Sequence, residues 1–103
     1  MHATWGKRSS FDYTGSIETG TEIKYGEGRV VTVTAQQYAA LRKHFLNQVI
    51  AVSTSRTAPA KRSLGEWLKK NVTATAIASY VAPILVLEGY AERVDTRDIR
   101  IIK

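Results

Sequence analysis

The chain contains no cysteine. That excludes a disulfide scaffold, a thiolate metal site and a cysteine nucleophile. Histidine is nearly absent too. His2 and His44 stand far apart, so no pair has metal-ligand spacing. A long apolar run is also missing. The longest, Tyr80 to Leu87, is interrupted by Pro83 and falls far short of the ~18 residues of a membrane helix. Met1 to Ser10 carries Lys7 and Arg8 with no apolar stretch behind them, which is not a secretory signal and predicts a cytoplasmic protein. Acidic residues are few, nine against fifteen Lys and Arg.

What is present suits one small domain. The 103 residues are 44% hydrophobic and 23% charged, enough apolar material for a core and too much for a disordered chain. The net charge of +6 is unevenly spread. Arg42, Lys43, Arg56, Lys61, Arg62, Lys69 and Lys70 face only Glu66 between positions 42 and 70, so this segment carries the whole excess. A concentrated basic region attracts polyanions. An ordinary solvated face gives the same pattern.

Residues 1–20 are rich in Ser, Thr and Gly without sustained periodicity, which predicts a mostly flexible N-terminal tail from which Trp5, Phe11 and Tyr13 can tuck against the body. The domain is then 21–103. Glu22 to Tyr25 and Arg29 to Val33 flank Gly26-Glu27-Gly28 and predict a β-hairpin. Thr34 and Gln37 have capping-box spacing, and Tyr38, Leu41 and Phe45 mark one face of the helix that follows. Val49 to Val52 reads as a strand and Ser53 to Lys61 as a loop. Ser63 and Glu66 form a second capping pattern before Leu64, Trp67 and Leu68. Those three side chains are expected to point inward, so that Trp67→Ala costs about 3–5 kcal/mol. Thr73 is placed as the cap of a third helix ending at Gly89, with a kink or break at Pro83. Two strands, Tyr90 to Val94 and Asp98 to Ile102, close the chain around Asp95-Thr96-Arg97.

From Ser63 to Ile102 this order resembles a winged helix-turn-helix domain. Ser63-Leu64-Gly65-Glu66-Trp67-Leu68 is similar to the second helix and Thr73 to Leu87 to the recognition helix. Leu87-Glu88-Gly89-Tyr90 looks like the corner entering the wing. The resemblance implies an α+β fold: a winged helix-like three-helix core, a C-terminal hairpin wing, and here an added N-terminal hairpin. It implies DNA binding, with Thr75, Ala78, Ser79 and Ala82 on the solvent side of the third helix and Arg97 at the wing tip.

No Arg, Lys, Asn or Gln lies between Thr73 and Leu87, and these are the residues that read base edges. Backbone contact is therefore the expected mode. The candidate nucleic-acid-binding residues are Lys61, Arg62, Lys69, Lys70, Thr73, Thr75, Ser79 and Arg97. The small residues Thr73 to Ala76, Ala78, Ser79 and Ala82 offer a different reading, a flat surface for a protein partner or for self-association. The close carboxylates Glu88 with Glu92 and Asp95 with Asp98 sit at an expected corner and loop, and Gly26-Glu27-Gly28 lacks phosphate-loop spacing. No catalytic residue, cofactor or small-molecule substrate is expected.

Overall fold

A computed structural model describes residues 1–103. Four antiparallel strands open the chain: β1 (His2–Ala3), β2 (Ser10–Ser16), β3 (Gly20–Tyr25) and β4 (Arg29–Thr34), paired in sequence order. Then come α1 (Ala35–Phe45), β5 (Val49–Ala51), α2 (Leu64–Asn71), α3 (Ala78–Leu87), β6 (Ala91–Arg93) and β7 (Asp98–Ile101). The last three strands form a second antiparallel sheet in the order β5-β7-β6. One apolar cluster unites both halves, drawing Phe11, Ile23 and Val33 from the first sheet, Ile99 and Ile101 from the second, and side chains from all three helices.

Local chemistry explains most of these elements. In the β3–β4 hairpin, Tyr25 pairs with Arg29 across a three-residue loop whose two glycines take positive φ. Thr21, Ile23 and Val33 point inward while Glu22, Lys24 and Thr32 face water, the period-2 alternation of a half-buried sheet. Thr34 caps α1 through a reciprocal box with Gln37. Tyr38, Leu41 and Phe45 form the buried face of α1, and the Tyr38 hydroxyl meets Thr21 Oγ1 at 2.6 Å.

The first twenty residues correct the expectation of a tail. Two strands lie within them, Ile17 is fully buried, and Trp5 and Phe11 are nearly so. Ser and Thr are no obstacle to an edge sheet whose outer face is wet, and a few large apolar side chains anchor it.

Three corrections concern the helices. Thr73 caps nothing: α3 begins at Ala78, and Ile77 precedes it without a side-chain cap. Pro83 does not break α3, which runs through it. A proline leaves the carbonyl four residues earlier without its helical donor, here Ser79 O. The Trp5 N–H fills that place at 2.9 Å. The cap of α2 is only half a box. Ser63 Oγ accepts from the Glu66 N–H at 3.1 Å, but the Glu66 carboxylate reaches the Arg62 N–H at 3.0 Å instead of returning to Ser63.

The inward face of α2 is as expected, but Trp67 stands at its margin. Leu64 and Leu68 are fully buried, whereas Trp67 is only partly covered and lies beside His44, ring centroids 6.5 Å apart. Trp67→Ala is accordingly expected to cost about 2 kcal/mol, below the ~3–5 kcal/mol of a fully enclosed aromatic. Urea unfolding against Leu68→Ala checks this, with Leu68→Ala the more damaging of the two.

Candidate nucleic-acid interface

The eight candidate residues do not share one surface. Lys61 and Arg62 are exposed in the turn before α2. Arg62 and Lys70 line a hollow of about 390 Å³ with His44 and Trp67, and Lys70 Nζ lies 3.9 Å from Glu66. Lys69 points to the other side of α2, where its ammonium donates to the Arg56 carbonyl. Thr73 and Thr75 sit in the connection between α2 and α3, joined by a Thr75 N–H to Thr73 Oγ1 contact of 3.4 Å. Arg97 stands on the β6–β7 loop beside a hollow of about 350 Å³ whose Trp5, Thr54 and Thr96 also line the cleft at Ser79. Asp95 shapes that loop by accepting the Arg97 and Asp98 N–H groups at 2.7 and 2.8 Å. Those two bonds hold its carboxyl below the ordinary range.

The expected solvent side of α3 is closed. Ala78 and Ala82 are buried, and Ser79 is partly covered. The N-terminal sheet lies against this helix. Phe11 and Tyr25 approach Tyr80 with ring centroids 5.5 and 4.8 Å away. Glu88, just past the end of α3, accepts from the Tyr13 hydroxyl at 2.7 Å and the Ile17 N–H at 2.9 Å. Burial, reinforced by Glu88, pushes the Tyr13 hydroxyl well above the usual tyrosine range. The Trp5 indole N–H donates to Thr96 O at 2.9 Å, and Arg93 stacks on its ring at 4.2 Å. Trp5 therefore ties α3 to the β6–β7 loop.

Ser79 opens onto a wider cleft than the hollows beside Arg62, Lys70 and Arg97. It lines a cleft of about 490 Å³ with Arg8, Ser9, Thr54, Arg56, Tyr80 and Thr96. A neighbouring hollow of about 770 Å³ is lined by Ser9, Ser10, Tyr25, Glu27, Arg29, Arg56 and Tyr80. Ser9, Arg56 and Tyr80 belong to both, so the two hollows adjoin along one groove-like surface. Three arginines line it from three separate segments: Arg8 from the β1–β2 loop, Arg29 from the start of β4 and Arg56 from the β5–α2 loop. None of the three is in an ion pair, and Glu27 is the only acid in the lining. Burial raises the Tyr80 hydroxyl above its ordinary pKa, with Tyr25 adding to the shift and Arg56 and Arg29 opposing it.

Arg8 and Arg29 were not legible as site residues. Both lie outside the basic segment, in sequence where cations and acids balance, and only folding brings them to Arg56. No cluster of three or more His, Asp and Glu side chains comes together to hold a metal. No helix is long and apolar enough to cross a membrane.

With this geometry in view, the chain was compared with protein-family models, curated proteins and solved structures, and none matches.

Proposed function

We propose that this chain is a non-catalytic, winged helix-like protein that binds DNA through phosphate-backbone contacts, as a regulator or accessory factor. The observation that carries the reading is the convergence of Arg8, Arg29 and Arg56 on one groove without acidic partners. Guanidinium groups pair with phosphate oxygens in a fork geometry, and the surrounding Ser and Thr hydroxyls are further phosphate donors. The order α1-β5-α2-α3-β6-β7, with β5 paired to β7, supports the winged helix-like arrangement. Lys69, tied to the Arg56 carbonyl, extends the positive surface from the groove onto α2.

The protein-partner reading loses much of its motive. Of the small-residue face, Ala78 and Ala82 are buried within the chain, leaving Ala74 and Thr75 exposed.

Fluorescence anisotropy with labelled oligonucleotides over a salt series tests the proposal. Binding should weaken steeply with salt, because each neutralised phosphate releases condensed counterions. Replacing Arg8, Arg29 and Arg56 together by Ala should lower affinity about 10–100-fold and flatten the salt slope by about two to three. Replacing Lys61, Arg62 and Lys70 should cost less, because these cations lie outside the groove and Lys70 already faces Glu66. Absence of binding to any oligonucleotide at low salt would overturn the reading.

A further inference from the structure

Duplex DNA buries its bases and is read by elements that protrude into its grooves. This chain offers no such element at the positive site. The N-terminal sheet lies against α3, and Trp5 bridges α3 to the β6–β7 loop. The cations line a depression instead. Its walls come from the β1–β2 loop, the β3–β4 hairpin, the β5–α2 loop, the start of α3 and Thr96 of the β6–β7 loop, and Tyr80 spans both of its halves. Tyr25 and Tyr80 are both only partly buried, and their rings lie 4.8 Å apart at a tilt of 31°.

A groove that tracks phosphates, joined to an aromatic surface, has the two parts of a single-strand site. Every base has a π-face, and stacking on an aromatic ring requires an unpaired base. We infer that the groove takes a single nucleic-acid strand, its phosphates running past Arg8, Arg56 and Arg29 and one base stacking at Tyr25. This rests on the phosphate-binding reading of the same groove. Tyr25 is placed for stacking because it lines the wider hollow, whereas Tyr80 is packed between Tyr25 and Phe11. Sequence preference should be slight, since the guanidinium groups are engaged by phosphates, the lining adds no Asn or Gln for base edges, and stacking accepts any base.

The test is anisotropy with a short labelled oligothymidylate and a blunt duplex of equal length, at one ionic strength. The single strand should bind at least about ten-fold more tightly. Tyr25→Phe keeps a ring and should bind as wild type. Tyr25→Leu keeps apolar bulk without a π-face and should lose about ten-fold for the single strand. Thermal melting followed by circular dichroism verifies that both variants are folded. Should the Leu variant not fold, competition of the wild-type protein by a free single strand against a duplex decides the preference. Equal or tighter duplex binding overturns this inference and leaves the phosphate-binding reading standing. Wild-type affinity in a folded Tyr25→Leu variant overturns the stacking assignment. No binding to either form overturns both.

Discussion

Gly65→Ala should be among the most damaging single-methyl additions to this protein. Gly65 is the second residue of α2 and is fully covered. Its N–H, one of the donors that a helix start leaves free, goes to Val52 O at 3.0 Å. That bond draws the helix so close to the β5–α2 loop that an added Cβ would lie 2.1 Å from the Ser53 carbonyl oxygen and 3.3 Å from Pro59 Cβ. Alanine gains up to about 1 kcal/mol over glycine within a helix. The clash is larger, because the obstructing atom is backbone and cannot rotate away. Forcing volume into a packed site typically costs ~1–3 kcal/mol, and with a backbone obstruction we expect about 4 kcal/mol net. For a domain whose total stability is of the order of 5–15 kcal/mol, much of the margin disappears. Urea unfolding reads this directly. A midpoint equal to wild type would mean that α2 does not sit against the Ser53 carbonyl.

Trp5→Ala is expected to cost about 3–5 kcal/mol, although it lies four residues from the N-terminus. Trp5 is only 7% exposed. Its ring carries Arg93, and its indole N–H is bonded to Thr96 O. Trp5→Phe separates the contributions. It keeps most of the packing, leaves Thr96 O without its donor, and should cost about 1–2 kcal/mol. A mobile tail would make both substitutions silent. Thermal melts of the two variants decide between these outcomes, and unchanged melting of Trp5→Ala would detach the N-terminal segment from α3. Because the same segment forms one wall of the arginine groove, a folded but loosened Trp5 variant should also bind oligonucleotides more weakly.

The reach of the sequence follows from what each element depends on. The β3–β4 hairpin, the Thr34 box, the Tyr38-Leu41-Phe45 face and the β6–β7 hairpin depend on residues within about ten positions of one another. Propensity, capping and periodicity are therefore enough to specify them. The N-terminal strands are different. Ser10 to Ser16 has weak apolar periodicity and becomes a strand because Tyr25 to Gly20 pairs along it and α3 covers Phe11. Pro83 argues locally for a break in α3. The helix survives because an amide from Trp5, far away in sequence, satisfies the carbonyl that the proline leaves free.

The site divides in the same way. Composition alone determined a basic, cysteine-free chain with no histidine cluster, and the order of residues determined a charge excess between positions 42 and 70. It also determined that the third helix carries no base-reading side chains. Tertiary structure alone decided that this helix is covered, that Trp67 lies at the margin of the core, and that the candidate cations are divided among several surfaces. It alone brought Arg8, Arg29 and Arg56 together. Charge counted along the chain records sequence neighbours, whereas a phosphate responds to the cations around it in space, and which segments line one groove is set by how two sheets pack on one helix.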